Sequence, residues 1–232
     1  PMSQVHPPRV VRVLDTGRDE GFYWIAMQLY SQGTVTDLVR GGQPLPVDRA
    51  LELMEHALEG LGAVHRAGFV HRDVKPHNLF LDDDGGAVVG DFGVARHLNS
   101  KLWFRTQTGQ GIGTMGYRAP EQDHDARSAG PAADVYGVAA TLYYLVTAKR
   151  PPLLYAADTN PKVLASVPEV LRELVHDATV HDPADRIGSA EEAWQRIRDV
   201  RNGLRIARGE PALPPPRARE GVVSWFRRVF TG

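Results

Sequence analysis

The stretch FVHRDVKPHNLFL, from Phe69 to Leu81, sets two His, an Arg, an Asp, a Lys and an Asn between two short apolar runs. A buried strand would not contain these side chains, because a polar group without a partner is costly to bury. A solvated face would not need apolar residues on both flanks. The pattern predicts a loop held rigidly between core elements, which is where functional side chains are commonly presented.

The bulk composition is that of a globular protein. The chain has 232 residues, 42% hydrophobic and 24% charged, so it can bury the core of one large domain or two small ones. A formal net charge of −1 argues against binding nucleic acid through bulk charge. The absence of cysteine excludes disulfides and thiolate metal sites and is compatible with a reducing compartment. No apolar run is long enough for a membrane helix, and PMSQVHPPRV lacks a signal-peptide core, so we expect a cytoplasmic protein.

The hydrophobic pattern predicts strands only in short pairs. VVRVLDTG and FYWIAMQLY are rich in β-branched and aromatic residues and are predicted to form strands, Val10–Leu14 and Phe22–Leu29, joined by a turn at GRDEG. Leu79–Leu81 and Ala87–Val89 flank DDDGG and predict a small hairpin.

Helical periodicity dominates the rest of the chain. After a short helix at GTVTDLV, the predicted helices are Pro46–Arg66 with Gly68 as its stop, Asp134–Ala148, which is apolar on nearly all sides and therefore central, Glu169–Val180, and Ser189–Arg201. Ser189 and Glu192 form a predicted capping box. The segment Val94–Tyr117 predicts a long loop that is functional or mobile, and PALPPPR (Pro211–Arg217) predicts an extended linker.

Five motifs in order link this chain to a known family. They are HRDVKPHN, GDFG (Gly90–Gly93), GTMGYRAPE (Gly113–Glu121), DVYGVA (Asp134–Ala139) and DPADR (Asp182–Arg186). Over about Val5–Val200 the chain resembles bacterial members of the eukaryotic-like (Hanks-type) serine/threonine protein kinases. The resemblance implies an α+β fold with a mainly helical C-lobe and a short β remnant of the N-lobe. It divides the chain into an N-lobe remnant with hinge (1–30), a C-lobe (31–203) and a linker with tail (204–232).

The resemblance also implies the chemistry of the site. Phosphoryl transfer needs positioning and charge neutralisation more than covalent help. Asp73 would orient the attacking hydroxyl, and Lys75 would place a cation near the γ-phosphate of ATP. Asn78 and Asp91 offer the oxygen ligands that Mg²⁺, or Mn²⁺, prefers. The spacing D-x-K-x-x-N and Thr114 resemble Ser/Thr-specific members, so the expected partners are ATP and a protein with Ser or Thr.

Other residues are expected to support that site. In the family, Asp134 holds the loop through backbone N–H groups, Glu121 and Arg186 form a buried ion pair, and His71 and Phe92 belong to a packed column. Gly93 permits the turn after Asp91. Arg72 often pairs with a phosphorylated residue, for which Thr106, Thr108 and Ser100 are the candidates here.

The end of the second predicted strand resembles the hinge that contacts adenine. Met27 would line the back of the adenine pocket. The carbonyl of Gln28 and the N–H of Tyr30 would face the base, and Phe80 would form part of the floor.

The glycine-rich loop, strand lysine and helical glutamate of intact kinases have no counterpart here, and no lysine precedes Lys75. We expect a fragment of a longer kinase. The alternatives are a complete but degenerate scaffold, or a second polypeptide that supplies the missing strands. In each case the strand pair would keep an exposed edge, and we expect weak nucleotide binding and low turnover from the chain alone.

Two other functions fit part of the pattern. A catalytically inactive pseudokinase that acts as a binding module would not need the metal ligands Asn78 and Asp91. Small-molecule kinases of the aminoglycoside type use Asp and Asn residues in the same roles but usually lack a stretch like GTMGYRAPE. The tail VVSWFRRVF could lie on a membrane surface, but a solvated tail fits its nine residues better.

Overall fold

The computed structural model describes residues 9–20, 22–91, 115–124 and 129–215 of the chain. The strands are β1 (Val13–Asp19), β2 (Phe22–Met27), β3 (Leu79–Leu81) and β4 (Ala87–Val89), and the helices are α1 (Val47–Arg66), α2 (Glu121–His124), α3 (Pro131–Thr147), α4 (Glu169–Asp177) and α5 (Ala190–Ala207). The helices contain far more of the described residues than the strands do, and the strands form two antiparallel pairs. The predicted α+β class is confirmed.

Helix α3 lies at the centre of the core. Tyr136, Leu142 and Leu145 are each no more than 1% exposed, as expected for a helix that is apolar all round. The helix begins at Pro131, three residues before the predicted start at Asp134. Proline suits a first helical position because its missing N–H would have no partner there. Asp134 therefore lies in the first turn of α3.

Helix α1 agrees with its predicted amphipathic pattern. Leu51, Leu58 and Leu61 are buried, and α1 packs against α3, α5 and β4. The chain leaves the helix at Gly68, whose φ of 86° lies in the left-handed region that glycine adopts without strain. This exit directs the chain into the stretch that contains the predicted loop.

The first strand pair differs from its prediction. β1 begins at Val13, not Val10, and runs through most of the expected GRDEG turn. Val10 and Val11 pair elsewhere, because Val11 N–H donates to the carbonyl of Val89 at 2.9 Å and Val10 bridges to the same strand. Gly17 leaves room for the Trp24 ring, with which a Cβ at that position would clash.

The β3–β4 hairpin forms with the predicted bounds. Both outer edges of the hairpin form backbone hydrogen bonds with other segments of the chain. Val35 N–H donates to the carbonyl of Leu79 along β3, and Val10 and Val11 run along β4. The hairpin is therefore flanked on both sides, and it ties the start of the described chain to the helical body.

The last helices end at other residues than predicted. α4 stops at Asp177, and α5 continues to Ala207. At the start of α5, the Ser189 hydroxyl accepts the N–H of Glu192 at 3.1 Å, which is one half of the predicted capping box. After α5 the chain turns back, and Leu213 N–H donates to Asn202 Oδ1 at 2.9 Å. The described part of the predicted linker thus packs on α5.

The short helix expected at GTVTDLV is only a 3-10 turn, over Asp37–Val39. The backbone N–H of Thr34 donates to Asp37 Oδ2 at 2.8 Å. This hydrogen bond links the segment before the turn to the first residue of the turn. Among the described residues, no helix combines the length and the apolar character that a membrane crossing requires.

Candidate active site

The polar loop (His71–Asn78) connects the exit of α1 to β3. Its last three residues, Pro76–Asn78, form a 3-10 turn that continues directly into β3. Val74 is 4% exposed and anchors the middle of the loop in the core. The side chains of Asp73 and Lys75 remain 11% and 22% exposed. The loop is therefore held from within and presents its charged residues at a surface, as predicted.

Asp73 is the centre of a group of three side chains. Lys75 Nζ donates to Asp73 Oδ2 at 2.8 Å. Asn78 Nδ2 lies 3.2 Å from the same oxygen and donates to the carbonyl of Asp73 at 2.7 Å. The structure thus brings together Asp73, Lys75 and Asn78, the loop residues predicted to act in phosphoryl transfer.

Asp134 binds the polar loop from α3. It is fully buried, and its carboxylate accepts the backbone N–H of His71 at 2.9 Å and that of Arg72 at 2.7 Å. These are the backbone hydrogen bonds expected of this residue. A carboxylate in the first turn of a helix is also favoured by the helix dipole.

His71 joins the polar loop to the segment after β4. Its Nε2 lies 2.8 Å from the carbonyl oxygen of Gly90. A carbonyl only accepts, so Nε2 carries the proton, and Nδ1 accepts the N–H of Asp73 at 3.2 Å. The ring is 4% exposed and committed to backbone groups on both sides, which agrees with a structural rather than a chemical part.

Asp91 and Asn78 provide the oxygen donors predicted for a divalent cation. The N–H of Gly90 donates to the carbonyl of Asn78 at 2.9 Å, so the segment that carries Asp91 is bonded to the end of the polar loop. The two contacts of the Asn78 side chain use its nitrogen. Within the described residues, the Asn78 amide oxygen and the exposed Asp91 carboxylate have no hydrogen-bond or ion-pair partner.

These donors fit a magnesium-type ion. Two hard protein oxygens are enough for Mg²⁺, which keeps waters and phosphate oxygens as its other ligands. The described ranges contain no cluster of three or more His, Asp or Glu side chains that could hold a metal ion.

Among the predicted hinge residues, Tyr30 contacts β3. The Tyr30 ring packs on Phe80, with 5.7 Å between their centroids, and burial raises the pKa of Tyr30 above its usual value. The N–H of Gln28 donates to the carbonyl of Arg12 at 2.9 Å. The adenine contact predicted for Gln28 involves its carbonyl instead. Met27 ends β2 with 41% of its surface exposed. Contact of these residues with adenine stays a prediction.

Arg72 adopts a left-handed backbone conformation with φ of 65°. Its Nε donates to the carbonyl of Ala129 at 3.3 Å. The predicted phosphate-bearing partners of Arg72 lie outside the described residues: Ser100, Thr106 and Thr108. The same holds for Thr114, Phe92 and Gly93.

The ion pair predicted between Glu121 and Arg186 is present. The Arg186 guanidinium donates to both Glu121 carboxylate oxygens, at 2.9 and 3.0 Å. It also donates to the carbonyls of Val180, His181 and Ala132. Its side chain is fully buried, so the charge is paired and its donors are used, as burial of a guanidinium requires.

Three residues at the site were missed by the sequence reasoning. His65, on the last turn of α1, places Nε2 2.7 Å from Asp134 Oδ2. Gln122 donates from Nε2 to the carbonyl of Arg72 at 2.9 Å. A Cβ at Gly137 would lie 2.8 Å from the backbone oxygen of Val74. Only His65 could have been found from the sequence, because it is a histidine shortly before the polar loop. Gln122 and Gly137 contact backbone atoms, and no local sequence pattern indicates such contacts.

The chain is similar in sequence to known protein kinases. A model of the protein kinase domain matches residues 1–196. The serine/threonine-protein kinase PknL of Mycobacterium tuberculosis is 37% identical over 242 aligned residues, which cover 99% of this chain and 60% of PknL. PknA of the same species is 31% identical over 211 residues, covering 86% of this chain and 48% of PknA. The chain therefore spans about 60% of the length of the first curated relatives it matches.

Solved structures give the same fold. The kinase domain of Mycobacterium tuberculosis PknI, crystallised as a point mutant, superposes with a TM-score of 0.65 at 27% identity, covering 84% of this chain and 72% of that one. Rad53 in complex with AMP-PNP superposes with a TM-score of 0.66 at 23% identity, covering 83% of this chain and 51% of that one.

Proposed function

The chain belongs to the protein kinase domain family, and from that premise we propose that it transfers the γ-phosphate of ATP to Ser or Thr hydroxyls of protein substrates, as part of a longer kinase. The observation that carries the proposal is the group around Asp73, in which Lys75 Nζ lies 2.8 Å and Asn78 Nδ2 3.2 Å from one carboxylate oxygen. An acidic, a cationic and an amide side chain at one point suit this reaction.

Each of the three has a separate part in the reaction. Asp73 accepts the hydrogen bond of the substrate hydroxyl and directs its oxygen toward phosphorus. Lys75 is held by Asp73, and its ammonium offsets negative charge that develops on the transferred group. Asn78 is oriented by its two contacts with Asp73, so that its amide oxygen is available as a ligand.

Mg²⁺ is the divalent ion we propose, with Mn²⁺ as a substitute. Asn78 and Asp91 would hold it, and when bound it would neutralise phosphate charge. The exposed Asp91 carboxylate, without a partner in the described part of the chain, supports this assignment.

The remaining residues are proposed to serve ATP, the substrate and the loop. Met27, Gln28, Tyr30 and Phe80 would contact adenine, and Thr114 would help to position the substrate alcohol. We propose that residues 1–30 form the strand pair and hinge, 31–203 the catalytic body, and 204–232 a linker and tail.

With the small lobe restored in the longer protein, the test compares Asp73→Asn with Asp83→Asn, the same change at an exposed position of the β3–β4 turn. We expect phosphate transfer from labelled ATP to a Ser/Thr protein substrate to fall by about 10²- to 10⁴-fold in the first variant, as for loss of a general base, and to stay at the wild-type level in the second.

Transfer that survives Asp73→Asn would contradict the proposal. So would a wild-type chain that transfers no phosphate even within the longer protein, and that result would leave an inactive binding module as the function.

A further inference from the structure

Arg72, whose carbonyl begins the peptide bond to Asp73, is in a backbone conformation that needs support. Arg72 has a φ of 65°, in the left-handed region that side chains other than glycine rarely adopt. Such a conformation persists only where the surroundings hold it. Because this bond leads directly into Asp73, its orientation decides where the Asp73 carboxylate points.

Side chains bind both polar groups of this peptide. On one edge, Gln122 Nε2 donates to the carbonyl of Arg72 at 2.9 Å. On the other edge, the N–H of Asp73 donates to His71 Nδ1 at 3.2 Å. The peptide is therefore hydrogen-bonded to Gln122 of α2 through its carbonyl and to His71 of the polar loop through its N–H.

Gln122 is itself fixed in one orientation. It is 4% exposed, and its Oε1 accepts the N–H of Ala119 at 3.1 Å. Exchanging Oε1 and Nε2 would place an acceptor against the Arg72 carbonyl and a donor against the Ala119 N–H, so the network admits one amide orientation. The adjacent Glu121 holds α2 to the buried Arg186.

We propose that Gln122 is a positioning residue for Asp73, an inference that rests on the proposed phosphotransfer. Without the Gln122 donor, the Arg72–Asp73 peptide loses the hydrogen bond to its carbonyl and rotates. The Asp73 carboxylate then leaves its place beside Lys75 and Asn78. Gln122 thereby joins the segment ending in α2, which by resemblance positions the protein substrate, to the residue that orients the substrate hydroxyl.

The variant that tests this is Gln122→Glu. It keeps a side chain of the same shape and an acceptor for Ala119 N–H, and it replaces the donor with a carboxylate oxygen facing the Arg72 carbonyl. The matched control is Gln195→Glu on the exposed face of α5, where Nε2 donates to Asp199 at 2.8 Å. Gln122→Met, which has similar length and no charge, serves as a second variant if the carboxylate prevents folding.

For Gln122→Glu in the longer protein with its small lobe restored, we expect kcat to fall by about 10- to 100-fold, as for misplacement of a reacting group. KM for ATP should change by less than about threefold, because the adenine contacts are untouched. A residue that only stabilises the fold would instead lower the amount of folded protein and leave kcat per folded molecule unchanged. The Gln195→Glu chain should keep the wild-type kcat.

Amide hydrogen exchange of the polar loop provides a readout that does not need activity. We expect the amide of Asp73 to exchange about tenfold faster in Gln122→Glu, with no change in Gln195→Glu. Unchanged exchange, or faster exchange with a wild-type kcat, overturns the inference. If the wild-type chain transfers no phosphate even within the longer protein, the proposed function fails, and the exchange rates alone still decide whether Gln122 fixes this peptide.

Discussion

Asp134 shows how one side chain can order a whole loop. Its carboxylate is fully buried, accepts two backbone N–H groups and lies beside the His65 ring nitrogen. Hydrogen bonds to a charged acceptor contribute about 1.5–3 kcal/mol each, and a buried carboxylate without them would be strongly disfavoured. These hydrogen bonds therefore stabilise the polar loop in the conformation that brings its N–H groups to the carboxylate.

His56 is a second residue whose environment decides its chemistry. Burial, and after it the Arg9 guanidinium beside the ring, lower the pKa of His56 to about 4. Arg9 Nη2 lies 3.2 Å from His56 Nε2, and a guanidinium only donates, so Nε2 must be unprotonated. The native contact therefore requires a neutral ring.

This requirement predicts a pH dependence of stability. Between the unfolded pKa of about 6.5 and the folded value of about 4, the unfolded chain binds a proton that the native state does not, so stability falls as the pH falls. From about pH 7 to about pH 5, the wild type should lose about 2 kcal/mol more than His56→Gln, which cannot titrate. Urea denaturation at both pH values measures this, and equal losses in the two proteins would contradict it.

At the scale of elements, the approach of α3 to the polar loop depends on a missing side chain. Asp134 and Gly137 lie one turn apart on α3. Asp134 binds the loop backbone, and Gly137 lets Val74 come close enough that an added Cβ would lie 2.8 Å from both the Cβ and the carbonyl oxygen of Val74. The helix and the loop therefore meet along one face through backbone contact.

We expect Gly137→Ala and Gly203→Ala to have opposite effects. Alanine at 137 forces the polar loop away from α3 and should destabilise the protein by about 1–3 kcal/mol and reduce phosphate transfer. Gly203, on the exposed face of α5, has no atom within 4 Å of an added Cβ, so alanine there should stabilise by up to about 1 kcal/mol. Denaturation midpoints of the two variants decide the question, and a shift of the same sign would refute the explanation.

At the scale of the molecule, the Glu121–Arg186 pair joins distant parts of the chain. Arg186 binds α2 through Glu121, reaches the first turn of α3 through the carbonyl of Ala132, and stacks over the Tyr136 ring at 5.3 Å. Arg201 and Glu55 make a comparable buried pair between α5 and α1, at 2.8 Å. Both pairs join segments that are far apart in the sequence.

Removing the charge of Glu121 should therefore lower the free energy of unfolding of the whole protein. Glu121→Gln leaves the buried Arg186 without its counter-charge, at a cost of about 3–5 kcal/mol. Glu192→Gln is the matched change in an exposed pair, 3.9 Å from Arg196, and should cost less than about 1 kcal/mol. Free energies of unfolding from urea titrations provide the comparison, and equal losses would show that burial of the pair contributes nothing.

Much of the fold was predictable because its signals are local. The helical periodicity of α1, the stop at Gly68 and the β3–β4 turn depend on neighbouring residues, and the structure has them as predicted. β1 was misplaced because Val10 and Val11 have strand character but pair with β4, a choice that only tertiary contacts make. The ends of α4 and α5 were wrong for a similar reason, since packing sets where a helix stops.

By itself, the sequence determined which side chains we propose for phosphate transfer, because the residue types and spacing of HRDVKPHN, with Asp91 beyond the hairpin, are properties of the chain. The tertiary structure alone decided how those side chains are held. Gln122 binds a backbone carbonyl 50 residues away, and His65 contacts a carboxylate 69 residues away. Gly137 lies against the backbone of Val74. A backbone carbonyl or N–H is the same at every position, so no residue pattern reveals which one a distant side chain will bind until packing brings the two together.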